Sequence, residues 1–99
     1  MHQIVYTTLM DIEFDTAKDE INRDKHGVSL AFGAEVFNDP DHFILPSIRP
    51  IDGENRYKVV GHVKGRLWTA VFVKRGVAFR FISVRKSNDG EQRRYSDSG

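Results

Sequence analysis

The sequence predicts an α+β domain in which an antiparallel sheet carries two helices on one face and ends in a short helix. Two observations predict the helices: one helical segment lies between a capping Asp15 and Gly27, and a second follows Ser29. A third observation predicts the sheet, because three strand-like runs separated by short glycine-containing turns occupy residues 54–86. Packing two helices on one side of such a sheet buries a single core.

Length and composition indicate a single domain over residues 1–99, with an N-terminal extension (1–10), a folded part (11–95) and a tail (96–99). The chain has no cysteine, which excludes a disulfide framework and a zinc ribbon and suits the reducing cytoplasm, where we expect the protein to act. It has no run of about 18 apolar residues, and residues 1–10 lack the layout of a signal peptide. We therefore expect no membrane span.

In the first half of the chain, residues 11–15 alternate like a short strand, and Asp15 is then placed to cap a helix over residues 16–26. Acids precede Lys25 and His26 along this helix, in keeping with its dipole, and Gly27 suits a left-handed C-terminal cap. Ser29 begins a second helix over residues 30–37, which ends before Pro40. Residues 43–45 follow as a short strand.

The second half predicts three strands, at residues 54–63, 66–73 and 77–86, with turns at Lys64-Gly65 and at residues 74–76. Short turns between successive strands imply an antiparallel meander, to which one or two N-terminal strands can add. Residues 89–95 then form a short basic helix or turn, with Ser87 or Asn88 as its cap. The opposite face of the sheet stays open, at least in part.

Charge is distributed unevenly along the chain. Residues 11–54 contain eleven acids and four bases, whereas residues 55–99 contain eleven bases and three acids, for a net charge of +1. A basic half can neutralise the phosphates of a nucleic acid or bind an acidic partner. The alternative is an ordinary solvated strand surface.

Strand alternation places several of these cations on one face of the sheet. In the strand at 54–63, Arg56, Lys58 and His62 share a face, and Arg80 lies on the face away from Phe79 and Phe81. A cation inside so apolar a strand requires a partner or solvent, which favours a functional role for Arg80. Arg85 falls at the end of its strand, where a bulge near Ser83 would redirect it.

This array of cations suits RNA cleavage. Arginine can hold a phosphate in a bidentate manner, and the neighbouring 2′-hydroxyl supplies the nucleophile without a metal ion. A base must still remove its proton, and an acid must protonate the leaving oxygen. The residues that we assign to catalysis are His26, Glu54, Arg56, Arg80 and Arg85, and those that we assign to substrate binding are Lys58, His62, Arg66 and Tyr95. The four histidines lack the spacing of metal ligands, so we expect no metal and no cofactor.

The chain resembles the BrnT toxins over residues 12–95. In its first half the resemblance lies in Ile12-Glu-Phe-Asp15, Lys25-His-Gly-Val-Ser29, Ala34-Glu-Val-Phe37 and Asp39-Pro40. In its second half it lies in Gly53-Glu-Asn-Arg-Tyr57, Gly61, Gly65-Arg-Leu67, Arg80, Ile82-Ser-Val-Arg85 and Arg93-Arg-Tyr95. The order and spacing of these motifs carry the resemblance. The chain departs from the family at Tyr57, where relatives usually have tryptophan, and at Ala78, where relatives often have a basic residue.

The resemblance implies a RelE-like fold and a ribonuclease of a type II toxin–antitoxin pair. It also implies an antitoxin similar to BrnA, with a ribbon-helix-helix region that binds operator DNA, in a two-plus-two complex. The family's cationic positions match His26, Arg56, Arg80 and Arg85, followed by Tyr95. Two alternatives stay open at this point: a module that binds RNA or a partner without cleaving, and a decayed toxin that only sequesters its antitoxin.

Overall fold

The computed structural model describes residues 5–7, 10–47 and 55–98, with the backbone alone at 5–7, 10 and 98. Its fold is α+β. The elements in chain order are β1 (Val5–Thr7), β2 (Met10–Glu13), α1 (Thr16–His26), a 3-10 turn (Leu30–Phe32), α2 (Gly33–Phe37), β3 (Phe43–Pro46), β4 (Arg56–Val63), β5 (Arg66–Arg75), β6 (Ala78–Lys86) and α3 (Asp89–Ser98). The strands form one six-stranded sheet in the order β1-β2-β6-β5-β4-β3.

The sheet is mixed, so the expectation of a wholly antiparallel sheet is wrong. Strands β3, β4, β5 and β6 pair antiparallel in succession, but β2 pairs parallel with β6, with Ile12 opposite Phe79. Only neighbours joined by a short turn must run antiparallel. β2 reaches β6 through the helices and the rest of the sheet, and this long connection permits either direction.

Both ends of the folded part differ from the sequence expectation. Of the segment expected as an N-terminal extension, residues 5–7 form β1, which pairs antiparallel with β2. At the other end, α3 continues to Ser98 instead of ending at Tyr95. The second hairpin turn lies at Gly76 and Val77 and begins two residues later than predicted, because β5 extends to Arg75.

Local caps fix the helices as the sequence predicts. The Asp15 carboxylate accepts hydrogen bonds from the backbone N–H groups of Ala17 and Lys18, and Gly27 ends α1 in the left-handed region at φ 78°. Ser29 accepts from the N–H of Ala31, so the second helix begins at the predicted residue. That helix starts as a 3-10 turn, however, and becomes α-helical only at Gly33.

The core lies between the helices and one face of the sheet. Its fully buried side chains come from the 3-10 turn, α2, β2 and the central strands: Ile12, Leu30, Val36, Val59, Phe72, Phe81 and Val84. Two glycines permit this packing. A Cβ at Gly33 would lie 2.6 Å from the Phe81 ring, and one at Gly61 would lie 2.6 Å from the Val36 carbonyl oxygen. α2 can therefore approach the sheet closely.

α3 packs on the opposite face of the sheet, which is therefore only partly open. The side chains that it contacts, those of Lys58, Thr69 and Arg85, alternate with the core residues Val59 and Ala70 along their strands. Within residues 5–7, 10–47 and 55–98, no helix is long and apolar enough to cross a membrane.

Candidate phosphate-binding face

Three charged side chains and one valine form a row across the face of the sheet on which α3 lies. Arg56 pairs with Val73, Val73 pairs with Arg80, and Arg80 pairs with Glu13, so these four residues lie side by side on one face. This placement agrees with the strand alternation that put Arg56 and Arg80 together. We call Arg56 and Arg80 the open pair.

The open pair has donors to spare. To the part of the chain that the structure describes, the Arg80 guanidinium makes one long contact, 3.5 Å from its Nη1 to the Glu13 Oε1, although a guanidinium carries five N–H donors. The Arg80 side chain is 27% exposed. Arg56 forms no ion pair with any residue in the described ranges. An anion that approaches this face from solvent can therefore bind both guanidinium groups.

A β-bulge brings Arg85 to the same face as Arg80. Phe81 pairs with Phe72 and Ser83 pairs with Val71, which leaves Ile82 as an extra residue in β6. Five positions separate Arg80 from Arg85, so unbroken alternation would place them on opposite faces. The extra residue reverses the alternation, and Arg85 then pairs with Thr69 on the face of Arg80.

Arg85 is bound by a buried carboxylate from α3. Glu91 is 3% exposed, and its two oxygens accept five hydrogen bonds. Arg85 donates two of these, at 2.8 and 2.9 Å, and Lys58 donates one at 3.1 Å. The Thr69 hydroxyl and the Asn88 backbone N–H donate the others, each at 2.9 Å. We call these five residues the Glu91 cluster.

The cluster shifts the pKa of both ions in its ion pair. Burial opposes ionisation of Glu91, but hydrogen bonds from Arg85, Asn88, Lys58 and Thr69 outweigh that effect and lower the pKa of Glu91 to about 2. The hydrogen bonds to Glu91 raise the pKa of Arg85, against the effect of burial. Glu91 is therefore an anion at neutral pH and has no capacity to act as a proton donor.

Tyr95 contacts the sheet one helical turn after Glu91. Its hydroxyl donates to the Asp39 Oδ2 at 2.6 Å, and its ring meets the His62 ring edge-on at 4.8 Å between centroids. The hydrogen bond to Asp39 raises the pKa of Tyr95 to about 12, so the phenol stays protonated. Burial raises the pKa of Asp39, but bonds from the His62 backbone N–H and from Tyr95 lower it overall.

His26 lies at the edge of β6, beside the bulge. It ends α1 and lines a cavity of about 190 Å³ with Ile82 and Ser83. Burial lowers the pKa of His26, and the charges of Lys25 and Arg85 lower it further, so the imidazole is mostly neutral at pH 7. A neutral imidazole can accept a proton.

Asn22 holds α1 against the same edge. Its side chain is buried and bonds to both backbone groups of Val84, donating to the carbonyl at 3.0 Å and accepting from the N–H at 3.0 Å. It also donates to the Val28 carbonyl at 2.8 Å. β2 pairs with β6 only as far as Arg80, so Asn22 serves as the hydrogen-bonding partner that a further strand would have supplied.

The residues assigned from the sequence do not all meet. Arg56, Lys58, His62, Arg80, Arg85 and Tyr95 share the face on which α3 lies. Arg66 lies at the first hairpin, exposed and in the alternation of Trp68, which points to the helix side of the sheet. Glu54 lies outside the described residues. Within those residues, no group of three carboxylate, imidazole or thiol side chains is placed to hold a metal ion.

Sequence reasoning missed Glu91, Thr69 and Asn22. One signal for Glu91 was present, because Asn88 and Glu91 have the spacing of a capping box. The Asn88 side chain accepts from the Glu91 N–H at 2.9 Å, and Glu91 accepts from the Asn88 N–H in return. This spacing indicates the start of α3, but it carries no information about Lys58 or Arg85.

The model of the family described as "Ribonuclease toxin, BrnT, of type II toxin-antitoxin system" matches residues 14–91, which is most of the chain and includes both the open pair and Glu91. No curated protein sequence matches the chain significantly. The chain belongs to the BrnT family of ribonuclease toxins from type II toxin–antitoxin systems.

Proposed function

We propose that this chain is a metal-independent endoribonuclease that arrests growth by cutting RNA in the cytoplasm and thereby inhibiting translation. Membership of the BrnT family supports the class of activity. The observation that carries the proposal is the open pair, because two partly exposed guanidinium groups lie in register on one face of a sheet. Such a pair can bind a phosphodiester monoanion and stabilise the second negative charge that develops on its oxygens during the reaction.

In the proposed reaction the RNA 2′-oxygen attacks the adjacent phosphorus. A bond forms between phosphorus and the 2′-oxygen, and the bond to the 5′-oxygen breaks, which yields a 2′,3′-cyclic phosphate and a 5′-hydroxyl end. Arg56 and Arg80 hold the phosphate and stabilise the charge that develops on its oxygens. Arg85 positions the backbone or stabilises the same charge.

His26 or Glu54 is proposed to take the proton from the 2′-hydroxyl and to return a proton to the leaving 5′-oxygen. His26 suits the role of base because its lowered pKa leaves the imidazole neutral near pH 7. Lys58, His62 and Tyr95 are proposed to bind the substrate on the face of the open pair. Arg66 is proposed to bind it only where the RNA passes the first hairpin, because Arg66 lies on the helix side of the sheet. The Tyr95 phenol already donates to Asp39, so its proposed contribution is through the ring, by stacking on a base.

The direct test is incubation of the purified protein with RNA in the presence of a chelator. We expect cleavage by the wild type and a loss of about 10²–10³-fold in rate for Arg80→Ala, the effect of removing one charge-stabilising donor. Arg93→Ala, which removes an equal charge from an exposed position of α3, should keep nearly full activity. RNA that stays intact at high protein concentration, or cleavage that requires an added metal ion, would refute the proposal.

The proposed partner is an antitoxin similar to BrnA, with a ribbon-helix-helix region that binds operator DNA, in a two-plus-two complex. The proposed fold class within α+β is RelE-like. Induced expression should arrest growth, and co-expression of the neighbouring antitoxin gene should relieve the arrest. Purification of the pair and measurement of its mass by light scattering would establish the stoichiometry.

A second candidate is a module that binds RNA or its antitoxin without cleaving. The observation that favours it is the Glu91 cluster, in which one carboxylate binds two of the predicted cations, Lys58 and Arg85. This candidate predicts RNA binding by Arg80→Ala with a salt dependence smaller by about 0.7 in slope, the effect of one lost phosphate contact on a single strand. It also predicts that no cleavage products form.

A further inference from the structure

α3 is held on the sheet by the polar contacts of a carboxylate and by the side chain of one tyrosine. Its side chains that reach the sheet are Glu91 and Tyr95, which lie one turn apart, and the residues from Gln92 to Arg94 between them are exposed. Tyr95 is the one aromatic residue of the helix, whose sequence DGEQRRYSDS contains no alanine, valine, leucine, isoleucine or methionine. A ten-residue helix of this composition is marginal in water without tertiary contacts. Among the described residues, α3 is therefore held on the sheet by the Glu91 cluster and by Tyr95, whose phenol donates to Asp39 and whose ring meets those of His62 and Phe43.

The surface beneath Glu91 has the character of an anion site. A guanidinium fork, an ammonium and a hydroxyl converge on its two carboxylate oxygens, supplied by Arg85, Lys58 and Thr69. The same donors would suit two oxygens of a phosphodiester, since arginine binds carboxylate and phosphate with the same geometry. Two cations face one carboxylate, so the sheet keeps a positive charge at this point.

This surface continues the open pair. Lys58 follows Arg56 by two residues on the same face of β4, a separation of about 7 Å along the strand. Arg85 follows Arg80 on the same face of β6, beyond the bulge. The four cations therefore form two adjoining pairs, one exposed and one covered by α3. Along β6 the separation is larger, because Arg80 lies opposite Val73 and Arg85 opposite Thr69, four positions apart on β5, or about 13 Å.

While α3 is in place, the covered pair is closed to RNA. Both terminal nitrogens of Arg85 and the ammonium of Lys58 already donate to Glu91, which is almost fully buried. Any role for Lys58 or Arg85 in substrate binding therefore requires that Glu91 leave. An incoming phosphodiester carries the same single negative charge as the carboxylate that it would replace.

We infer that Glu91 occupies a second phosphate subsite, formed by Arg85, Lys58 and Thr69, and that RNA takes this subsite by displacing α3. The inference rests on the proposed function only in taking RNA as the ligand. Binding would begin at the open pair, and the neighbouring phosphate would then replace the carboxylate. RNA affinity is consequently coupled to the opening of α3, and each change that loosens α3 in the free protein should tighten RNA binding.

Hydrogen–deuterium exchange of the full chain, followed by mass spectrometry, tests this coupling. The probe is a single-stranded 2′-O-methyl RNA oligonucleotide, which lacks the nucleophilic hydroxyl and therefore stays intact. We expect the oligonucleotide to slow exchange in β4 and β6 and to speed exchange of the α3 amides. A helix with a merely structural role would exchange at an unchanged or lower rate when the oligonucleotide binds.

Two variants measure how strongly RNA binding is coupled to the opening of α3. Tyr95→Phe removes the hydroxyl bond to Asp39 but keeps the ring, and it should speed α3 exchange in the free protein about tenfold. It should also tighten oligonucleotide binding by a similar factor, because affinity follows the fraction of molecules in which α3 is displaced as long as that fraction is small. Arg80→Ala should weaken oligonucleotide binding and leave α3 exchange in the free protein unchanged.

The outcomes separate the inference from the proposed function. If the oligonucleotide binds and α3 exchange stays the same or slows, the inference is overturned, while the cleavage assay decides the proposed function independently. If Tyr95→Phe speeds α3 exchange but leaves affinity unchanged, the coupling is absent and the inference fails. A protein that binds no oligonucleotide and cleaves no RNA would overturn both.

Discussion

The two faces of the sheet are covered by helices in opposite ways. On one face, α2 and the 3-10 turn before it pack against Phe72 and Phe81 through apolar side chains that are almost fully buried. On the other face, α3 is attached chiefly by a buried carboxylate, Glu91, and by Tyr95, whose phenol donates to Asp39 and whose ring meets those of His62 and Phe43. The first attachment is non-directional and grows with buried area, whereas the second depends on charge and on hydrogen-bond geometry.

This difference indicates on which face of the sheet a ligand can replace the contacts of a helix. An apolar core offers nothing that a dissolved anion can replace, and its helices are expected to stay in place under all conditions that keep the protein folded. A carboxylate on an arginine fork can be replaced by another anion with the same geometry. The stable face therefore supports the sheet, and the exchangeable face carries the proposed site.

The largest effect is expected on the apolar face. Phe81→Ala removes a ring that is 1% exposed and packs against Gly33, and it should lower the free energy of unfolding by about 3–5 kcal/mol. This loss should be nearly the same at pH 7 and at pH 4, because no ionisable group is removed. Urea denaturation at the two pH values measures it.

Two further variants keep that test interpretable. Phe81→Leu should lose less than Phe81→Ala and remain folded if the alanine variant does not. Ile21→Ala is the matched control, since Ile21 is 62% exposed on α1, and it should stay close to the wild type. A strong dependence of the Phe81→Ala loss on pH would contradict the view that α2 is held to this face by apolar contacts.

The next effect concerns the charged face and depends on pH. The pKa of Glu91 falls from 4.5 to about 2 on folding, so its ionised form contributes stability above pH 4.5, and that stability is lost as the pH falls towards 2. Glu91→Gln, which keeps the shape and removes the charge, should lower the free energy of unfolding by about 3 kcal/mol at pH 7. The gap between wild type and variant should shrink by about 2 kcal/mol by pH 3.

Urea denaturation of both proteins between pH 7 and pH 3 measures this gap. Glu35→Gln serves as the control, because Glu35 is exposed on α2, and its loss at pH 7 should be within about 0.5 kcal/mol. A gap between wild type and Glu91→Gln that stays constant over this pH range would mean that the charge of Glu91 does not hold α3 to the sheet. The two faces would then differ less than their contacts indicate.

Sequence reasoning succeeded where the structure depends on neighbouring residues. Asp15 and Gly27 delimit α1 because a cap is a local interaction. Strand alternation placed Arg56 and Arg80 on the same face, and they do share it because both pair with Val73, with no bulge between them. The parallel pairing of β2 with β6 was not predictable in this way. It pairs Ile12 with Phe79, which are far apart in the sequence, and no local pattern indicates whether such distant strands run parallel or antiparallel.

The site escaped prediction for the same reason. The extra residue Ile82 is a matter of register between two strands, and it alone moves Arg85 to the face of Arg80. Glu91 contacts Lys58 and Thr69, which are 33 and 22 positions away, so its spacing to Asn88 indicates a helix start and nothing more. Reasoning from local sequence therefore found the cations but not the carboxylate that binds two of them.

The smallest effect should leave the contrast between the faces intact. Lys64 and Gly65 form the first hairpin turn, both with positive φ, and Lys64 at φ 51° is strained because its side chain disfavours this region. Lys64→Asn should raise the free energy of unfolding by about 0.5–1 kcal/mol, since asparagine tolerates the left-handed conformation and Asn-Gly suits this turn. Lys64→Gln removes the same charge without that tolerance and should gain nothing. The turn belongs to neither covered face, so the effects of Phe81→Ala and Glu91→Gln should be the same in the stabilised background. An equal gain from Lys64→Gln would assign the effect to charge and not to backbone strain.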